Sequence, residues 1–412
     1  MKEEIGNNES SFKSPLRDLI DDASYSRFDK RKSALYYDQY LTNGSRTKIQ
    51  KQARERLVRS ILEQKEGYAL EDVALQNAAV CLACEYGTDY ECLGPNRPNV
   101  GLRSWTRINE ICATPEELTV PRYSGNPKEA AHIVKRVALE FGAFQVGITG
   151  LDKRHVYSYD CDGKEIVFEE VDEPYETDEK RVIPEKCKYV VVMLVKMPAA
   201  ALSCAPFPVG SAVPWATYKR IDLLIGLMAH FIRGLGYTAI PSANDTAVNG
   251  PFAIEAGLAE QGRADKSINP EAGMLVRICK VFTDLPMELD SPKKFGVAEF
   301  CKICRRCVEA CPVNTVNADT EPSFDIPGPW SNPGHKTWHG NNPSCWAYAH
   351  QTGGTCGICL YVCPWNKPNT ILFRLIKGII RRTSLLNRFF LAADKFFGYG
   401  RPMKPEKWWD MK

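Results

Sequence analysis

The 412-residue chain predicts an α/β (α+β) protein in two parts, a domain of alternating helices and strands followed by a cysteine-rich metal module. Between about residues 120 and 295, apolar segments of helical period alternate with short continuous apolar runs. From Cys301 onward, two groups of four cysteines recur, each closed by a proline. Apolar residues make up 44% of the chain, enough for a sizeable core. The 53 basic residues against 50 acidic ones leave a net charge of +3, which argues against a nucleic-acid partner without a concentrated basic face.

Residues 1–115 are polar, and "RTKIQKQARERLVRSILEQ" reads as a surface helix. Cys81, Cys84, Cys92 and Cys112 invite a zinc reading, because a Cys-x-x-Cys pair is half of such a site. The second pair lacks close spacing and "AAVCLACEYG" is apolar, so buried free thiols are the preferred reading. Residues 116–295 form the α/β unit. In "NPKEAAHIVKRVALEFGAFQVGITGL", Asn126 caps a helix, Pro127 suits its first turn, and Ala130, Val134, Val137 and Phe141 make one face. Gly142 ends the helix, and the run to Ile148 is a buried strand. "KYVVVMLVKM" is a second buried strand, and the helix "YKRIDLLIGLMAHFIRGLG" leads to a short strand in "YTAIPS". No Gly-x-Gly-x-x-Gly fingerprint or phosphate loop follows any strand, so nucleotide chemistry is not indicated.

Residues 296–370 hold the cysteine module, and 371–412 form a C-terminal helical segment. In that segment "TILFRLIKGIIRRTSLLNRFFLAADKFFGYGRP" reads as two apolar, basic helices broken near Thr383. Packing against the protein's own core is preferred to peripheral contact with a membrane surface, which stays open. The most apolar strip, from Tyr189 to Val213, is interrupted by Lys196 and several prolines and does not span a bilayer. The N-terminus as written shows no export signal, and a cytoplasmic location is expected.

Cys301, Cys304 and Cys307 are spaced to wrap three corners of a cubane, and Cys311 precedes Pro312. Cys345, Cys356, Cys359 and Cys363, before Pro364, repeat the pattern in stretched form. A cysteine before proline points to the neighbouring cluster, so Cys301, Cys304, Cys307 and Cys363 are assigned to one 4Fe-4S cluster. Cys345, Cys356, Cys359 and Cys311 are assigned to the other. Zinc is disfavoured, because the spacing delivers interleaved groups of three plus one. Eight cysteines fill eight corners, so the clusters relay electrons and the bond chemistry belongs upstream.

The chain resembles the corrinoid- and iron-sulfur-dependent reductive dehalogenases. The resemblance runs from "GNPKEAAHIVKRVALEFGAFQVGITGL" through "YTAIPSANDTAVNGPFAIEAGLAEQGR", "GMLVRICKVFTDLPM" and "FGVAEFCKICRRCVEACP" to "CGICLYVCPWNKP" and "FFGYG". It implies a nitroreductase-like cobalamin-binding domain joined to a ferredoxin-like domain with two 4Fe-4S clusters, and replacement of the halogen of an organohalide by hydrogen. The Asp-x-His-x-x-Gly signature is absent, so the resemblance implies a base-off cobalamin without a protein histidine.

By the same resemblance, Tyr218 in "WATYKRIDLL" is the proton donor, Arg277 in "LVRICKVF" the cation beside it, and Asn244 in "SANDTA" an amide lining the pocket, with Asn244 and Tyr218 facing the corrinoid. A phenol with an ordinary pKa of about 10 needs such a cation to stabilise phenolate. Read alone, Tyr218 could simply begin an amphipathic helix, Arg277 serve an ion pair and Asn244 a turn. Trp105, Trp215 and Trp346 are candidate pocket aromatics. Where many relatives read Gly-Arg-Asn-Gly, this chain has "GRADKS", with Ala264 and Asp265 in place of the turn. Respiratory members carry a twin-arginine signal, so a trimmed, membrane-associated form is the alternative location. Expected partners are an organohalide and an unspecified electron donor, and a homodimer stays open. The rivals are an epoxyqueuosine-type reductase, against which the short stretch after Cys363 weighs, and a non-catalytic electron carrier, which has no use for the upstream domain.

Overall fold

The computed structural model describes residues 15–34, 45–69, 72, 101–106, 114–117, 119–352 and 355–411. Cys81, Cys84, Cys92 and Cys112 lie outside them.

Nine strands are described: β1 Gln145–Gly150, β2 Glu165–Glu169, β3 Tyr175–Glu176, β4 Lys180–Pro184, β5 Tyr189–Lys196, β6 Ala239–Ser242, β7 Glu260–Gly262, β8 Lys266–Ile268 and β9 Val276–Thr283. The central sheet has the order β1-β5-β9-β6, and every neighbouring pair is antiparallel. Alternating helix and strand in the sequence therefore build the α+β form of the expected fold class. β5 reads as a continuous apolar run because both its faces are covered. Val191, Met193 and Val195 pack with the Pro127–Glu140 and Pro208–Gly234 helices. Val190, Val192 and Leu194 face a second core built by the Asn249–Glu255 helix, β2 and β4.

The Pro127–Glu140 helix starts at a reciprocal cap, Asn126 Oδ1 accepting from the Glu129 amide at 3.0 Å and Glu129 Oε2 from the Asn126 amide at 3.2 Å. Its buried face is Ala130, Ala131, Val134 and Ala138. Phe141, expected on that face, follows the last helical turn and is 37% exposed, because the chain turns away through Gly142 at φ 100°.

The cysteine module forms a third core, in which Cys301, Cys304 and Cys363 pack with Phe300, Trp338 and Trp365. Asn366 locks it to the sheet domain: its Oδ1 accepts from the Met274 amide at 2.9 Å. Only glycine fits at the adjoining position 273, where φ is 62° and a Cβ would lie 2.6 Å from the Asn366 backbone nitrogen. The C-terminal segment forms helices Ile371–Arg382 and Asn387–Phe396, broken at Thr383. Ile376, Ile380, Phe390 and Leu391 pack on the module, but Leu375 (63%) and Phe396 (82%) face outward. The helices thus dock by one edge only. Among the described residues no helix is long and apolar enough to cross a membrane.

Candidate active site

Tyr218 lies in the middle of the 27-residue Pro208–Gly234 helix, not at its start, and is half-buried against the α-face core. Arg277 projects from β9, with its guanidinium carbon 5.0 Å from the Tyr218 ring centre. Among the described residues its buried Nε has no hydrogen-bond partner. Asn244 follows β6 in a loop that Asp245 holds by accepting from the Ala243 amide at 2.6 Å and the Thr246 hydroxyl at 2.8 Å. Asn244 Nδ2 donates to Tyr218 Oη at 2.7 Å. Three residues distant in sequence therefore share one locus. The Trp215 ring tilts against Tyr218 at 6.5 Å.

Two residues escaped the sequence reading. Asn249 Nδ2 donates to Asn244 Oδ1, and Lys280 Nζ donates to Asn249 Oδ1. Lys280 also donates to the carbonyls of Ala243 and Ala247, both at 3.1 Å. The available signal was a lysine inside the apolar run "VRICKVFT". Burial pushes its ammonium down to about 7, against Asp245, which favours the charge.

Tyr218, Asn244 and Arg277 stand where two cavities meet. One, of about 450 Å³, is lined by Tyr25, Tyr157, Ser267, Met274 and His335 among others. The other, of about 420 Å³, is lined by Trp215, Trp346, Cys311, Cys345, Cys356 and Cys359. Trp215 and Trp346 thus face the site. Trp105 does not: it is 1% exposed in the core behind the sheet, away from both cavities.

The cysteines fall into two neighbourhoods. Cys363 has Cys301, Cys304 and Cys307 as its close thiol neighbours, and burial first, then those thiols, push it well above the ordinary range. Cys356 has Cys345 and Cys311 beside it, and burial pushes it up to about 11. Cys311 is held below its ordinary value: hydrogen bonds, chiefly from the Thr315 hydroxyl and amide at 3.3 Å each, outweigh its partial burial. Such N–H and O–H donors stabilise a thiolate. Cys311, Cys345, Cys356 and Cys359 line the 420 Å³ cavity together.

"GRADKS" supplies the β7–β8 turn, with Asp265 at φ 52° doing what asparagine and glycine do in a left-handed turn. Its Oδ1 accepts from Thr337 Oγ1 at 3.2 Å. Arg263 is buried and donates to the Cys301 carbonyl at 2.8 and 2.9 Å, tying this turn to the first cysteine loop. Two histidines, His335 and His339, line the 450 Å³ cavity, and His339 Nε2 donates to the His335 carbonyl at 2.8 Å.

The model of the reductive dehalogenase subunit matches residues 23–167 and 158–287, and that of the 4Fe-4S double cluster binding domain matches 300–366. A tetrachloroethene reductive dehalogenase of Sulfurospirillum multivorans is 32% identical over 355 residues, covering 82% of this chain and 70% of the relative. One from Desulfitobacterium hafniense is 31% identical over 309 residues, 68% of this chain and 56% of its own length. A solved reductive dehalogenase, for which a mechanism of B12-dependent dehalogenation is suggested, superposes with a TM-score of 0.56 at 26% identity, over 67% of this chain and 37% of its own. This chain thus spans little more than half of the second relative and under half of the solved one. The antiparallel sheet, the paired cysteine neighbourhoods and both family models agree: the chain belongs to the reductive dehalogenase family and carries its 4Fe-4S double cluster domain.

Proposed function

We propose that this chain reductively dehalogenates a small organohalide, R–X + 2e⁻ + H⁺ → R–H + X⁻, with Tyr218 as the proton donor. The observation that carries the reading is the meeting of the two cavities at Tyr218, Asn244 and Arg277. A corrinoid, when bound, supplies the reduced cobalt at which the carbon–halogen bond is cleaved, and two 4Fe-4S clusters supply its electrons one at a time. The residues fit such a group. The 450 Å³ cavity offers the aromatic faces of Tyr25 and Tyr157, the Ser267 hydroxyl and the His335 ring, and Arg277 Nε awaits an acceptor at its edge.

We place the corrinoid-binding unit at 116–295 and the cluster relay at 296–370. The cluster held by Cys345, Cys356, Cys359 and Cys311 is the inner one, because those thiols share a cavity with Tyr218. The cluster of Cys301, Cys304, Cys307 and Cys363 is the outer one. Trp215 and Trp346 give the substrate an apolar wall, and exclusion of water there strengthens every charge interaction. Tyr218 donates its hydroxyl proton to the carbon that loses halide. Arg277, over the ring face, stabilises the resulting phenolate until solvent returns a proton.

The test is anaerobic reconstitution with iron, sulfide and a corrinoid, followed by assay with a reduced viologen against chlorinated and brominated alkenes and phenols. Halide release in step with viologen oxidation is expected. A chain that binds both cofactors and reduces a nucleoside epoxide, but frees no halide, refutes the reading.

A further inference from the structure

We propose that Lys280, acting through Asn249 and Asn244, sets the hydrogen-bond polarity that leaves the Tyr218 hydroxyl proton directed into the cavity. This rests on Tyr218 being the proton donor.

Lys280 is fully buried on β9, three residues from Arg277 and on the opposite face of the sheet. An ammonium carries three donors and no acceptor. Among the described residues its hydrogen-bond partners are three neutral oxygens, the carbonyls of Ala243 and Ala247 and Asn249 Oδ1, so every proton is engaged. Burying this cation without a carboxylate in contact is costly, and hydrophobic packing alone would favour an apolar residue here.

Its effect is directional. Because the ammonium form of Lys280 cannot accept, Asn249 must present Oδ1 to it and Nδ2 to Asn244. Asn244 must then answer with Oδ1, which leaves its Nδ2 facing Tyr218 Oη at 2.7 Å. Tyr218 accepts there, so its single proton is free to donate elsewhere. The Arg277 guanidinium over its ring has no acceptor either. The proton is left for the cavity where substrate carbon would stand. Remove the ammonium and each amide regains two orientations. In the reversed one, Asn244 Oδ1 takes the tyrosine proton away from the cavity. Lys280 touches no reacting atom and is a positioning residue.

The deciding variant is Asn249→Asp in the reconstituted holoenzyme. A carboxylate accepts from Lys280 but cannot donate to Asn244, so the chain reverses while the buried cation gains a counter-charge. We expect Tm at or above that of the parent, unchanged iron and corrinoid content, KM within about twofold and kcat lower by about 100-fold. The solvent deuterium isotope effect on kcat should rise, because proton donation becomes limiting. If kcat falls only together with Tm, iron or corrinoid, the role is merely structural and the proposal is overturned. It is also overturned if Asn249→Asp keeps kcat within about twofold while Tyr218→Phe is inactive, which leaves the proton-donor reading standing. Full activity in Tyr218→Phe removes that reading and the relay with it.

Discussion

The guanidinium carbon of Arg277 lies 5.0 Å from the centre of the Tyr218 ring, although the two residues, on a strand and a helix, stand 59 positions apart in the chain. The cation sits over the ring face, where it favours negative charge on the phenol oxygen without accepting its proton. Tyr218→Phe removes the proton and keeps the ring. It should lower kcat by about 10²- to 10⁴-fold with little change in KM or in bound iron and corrinoid, as read by steady-state kinetics and metal analysis.

Arg277→Met removes the charge but keeps much of the stem. We expect kcat to fall by about 100-fold, and Arg277→Lys to recover part of it, because a point charge replaces a planar one. Equal activity in Arg277→Met and the parent would remove the phenolate-stabilising role.

The crossed cysteine assignment is testable by iron content and electron paramagnetic resonance of the reduced protein. Cys311→Ser with Cys356→Ser strikes one cluster, so the signal of the other should survive. Cys311→Ser with Cys304→Ser, both from the first motif, strikes two clusters and should perturb both signals. If the second pair spares one cluster, the ligands do not cross.

Lys280 predicts a pH dependence of stability. Its folded value of about 7 lies below the ordinary lysine value, so in between the unfolded chain holds the extra proton. Stability should therefore rise with pH across that window, by at most about 1.4 kcal/mol per pH unit, and be flat below it. Lys280→Met should abolish this slope in denaturant titrations run at several pH values.

His155 acts in the same sense at lower pH. It is buried, its Nδ1 is hydrogen-bonded to Tyr25 Oη at 2.9 Å, and burial pushes it down to about 4. Between about 4 and 6.5 the unfolded chain carries the proton and the folded one does not, so stability is lost as pH falls through that range. His155→Gln should flatten this acid limb.

A further stability test concerns the helix that carries Tyr218. Arg103 Nη2 meets Asp222 Oδ1 at 2.6 Å, both nearly fully buried. Asp222→Ala removes a buried carboxylate that answers Arg103 and, at 3.6 Å, Lys219, and should destabilise the fold by about 3–5 kcal/mol, measured as a drop in the denaturant midpoint.

The metal chemistry was legible early because it is local. Three cysteines at intervals of three residues wrap a cluster whatever surrounds them, and a stretched second motif still reads as one. The buried strand β5 and the capped Pro127–Glu140 helix were equally legible, since capping boxes and runs covered on both faces leave marks in a few adjacent residues. Phe141 was misplaced because helical periodicity continues past the residue where a left-handed glycine stops the helix. Trp105 was offered to the pocket because nothing local separates an aromatic core residue from a lining one. Asn249 and Lys280 were passed over because a lone lysine in an apolar strand looks like an interruption, not a partner.

By itself the sequence determined the inventory: two motifs of four cysteines, an upstream domain of helices and strands, and, through family resemblance, a tyrosine, an arginine and an asparagine. The tertiary structure decided direction. Whether β1, β5, β9 and β6 run antiparallel, which thiols share a cavity with Tyr218, and which way two amides point between Lys280 and that phenol all depend on contacts between residues far apart along the chain. Hydrogen-bond polarity is a property of a closed set of neighbours. It exists only once folding has brought an end that cannot accept within reach of one that can donate.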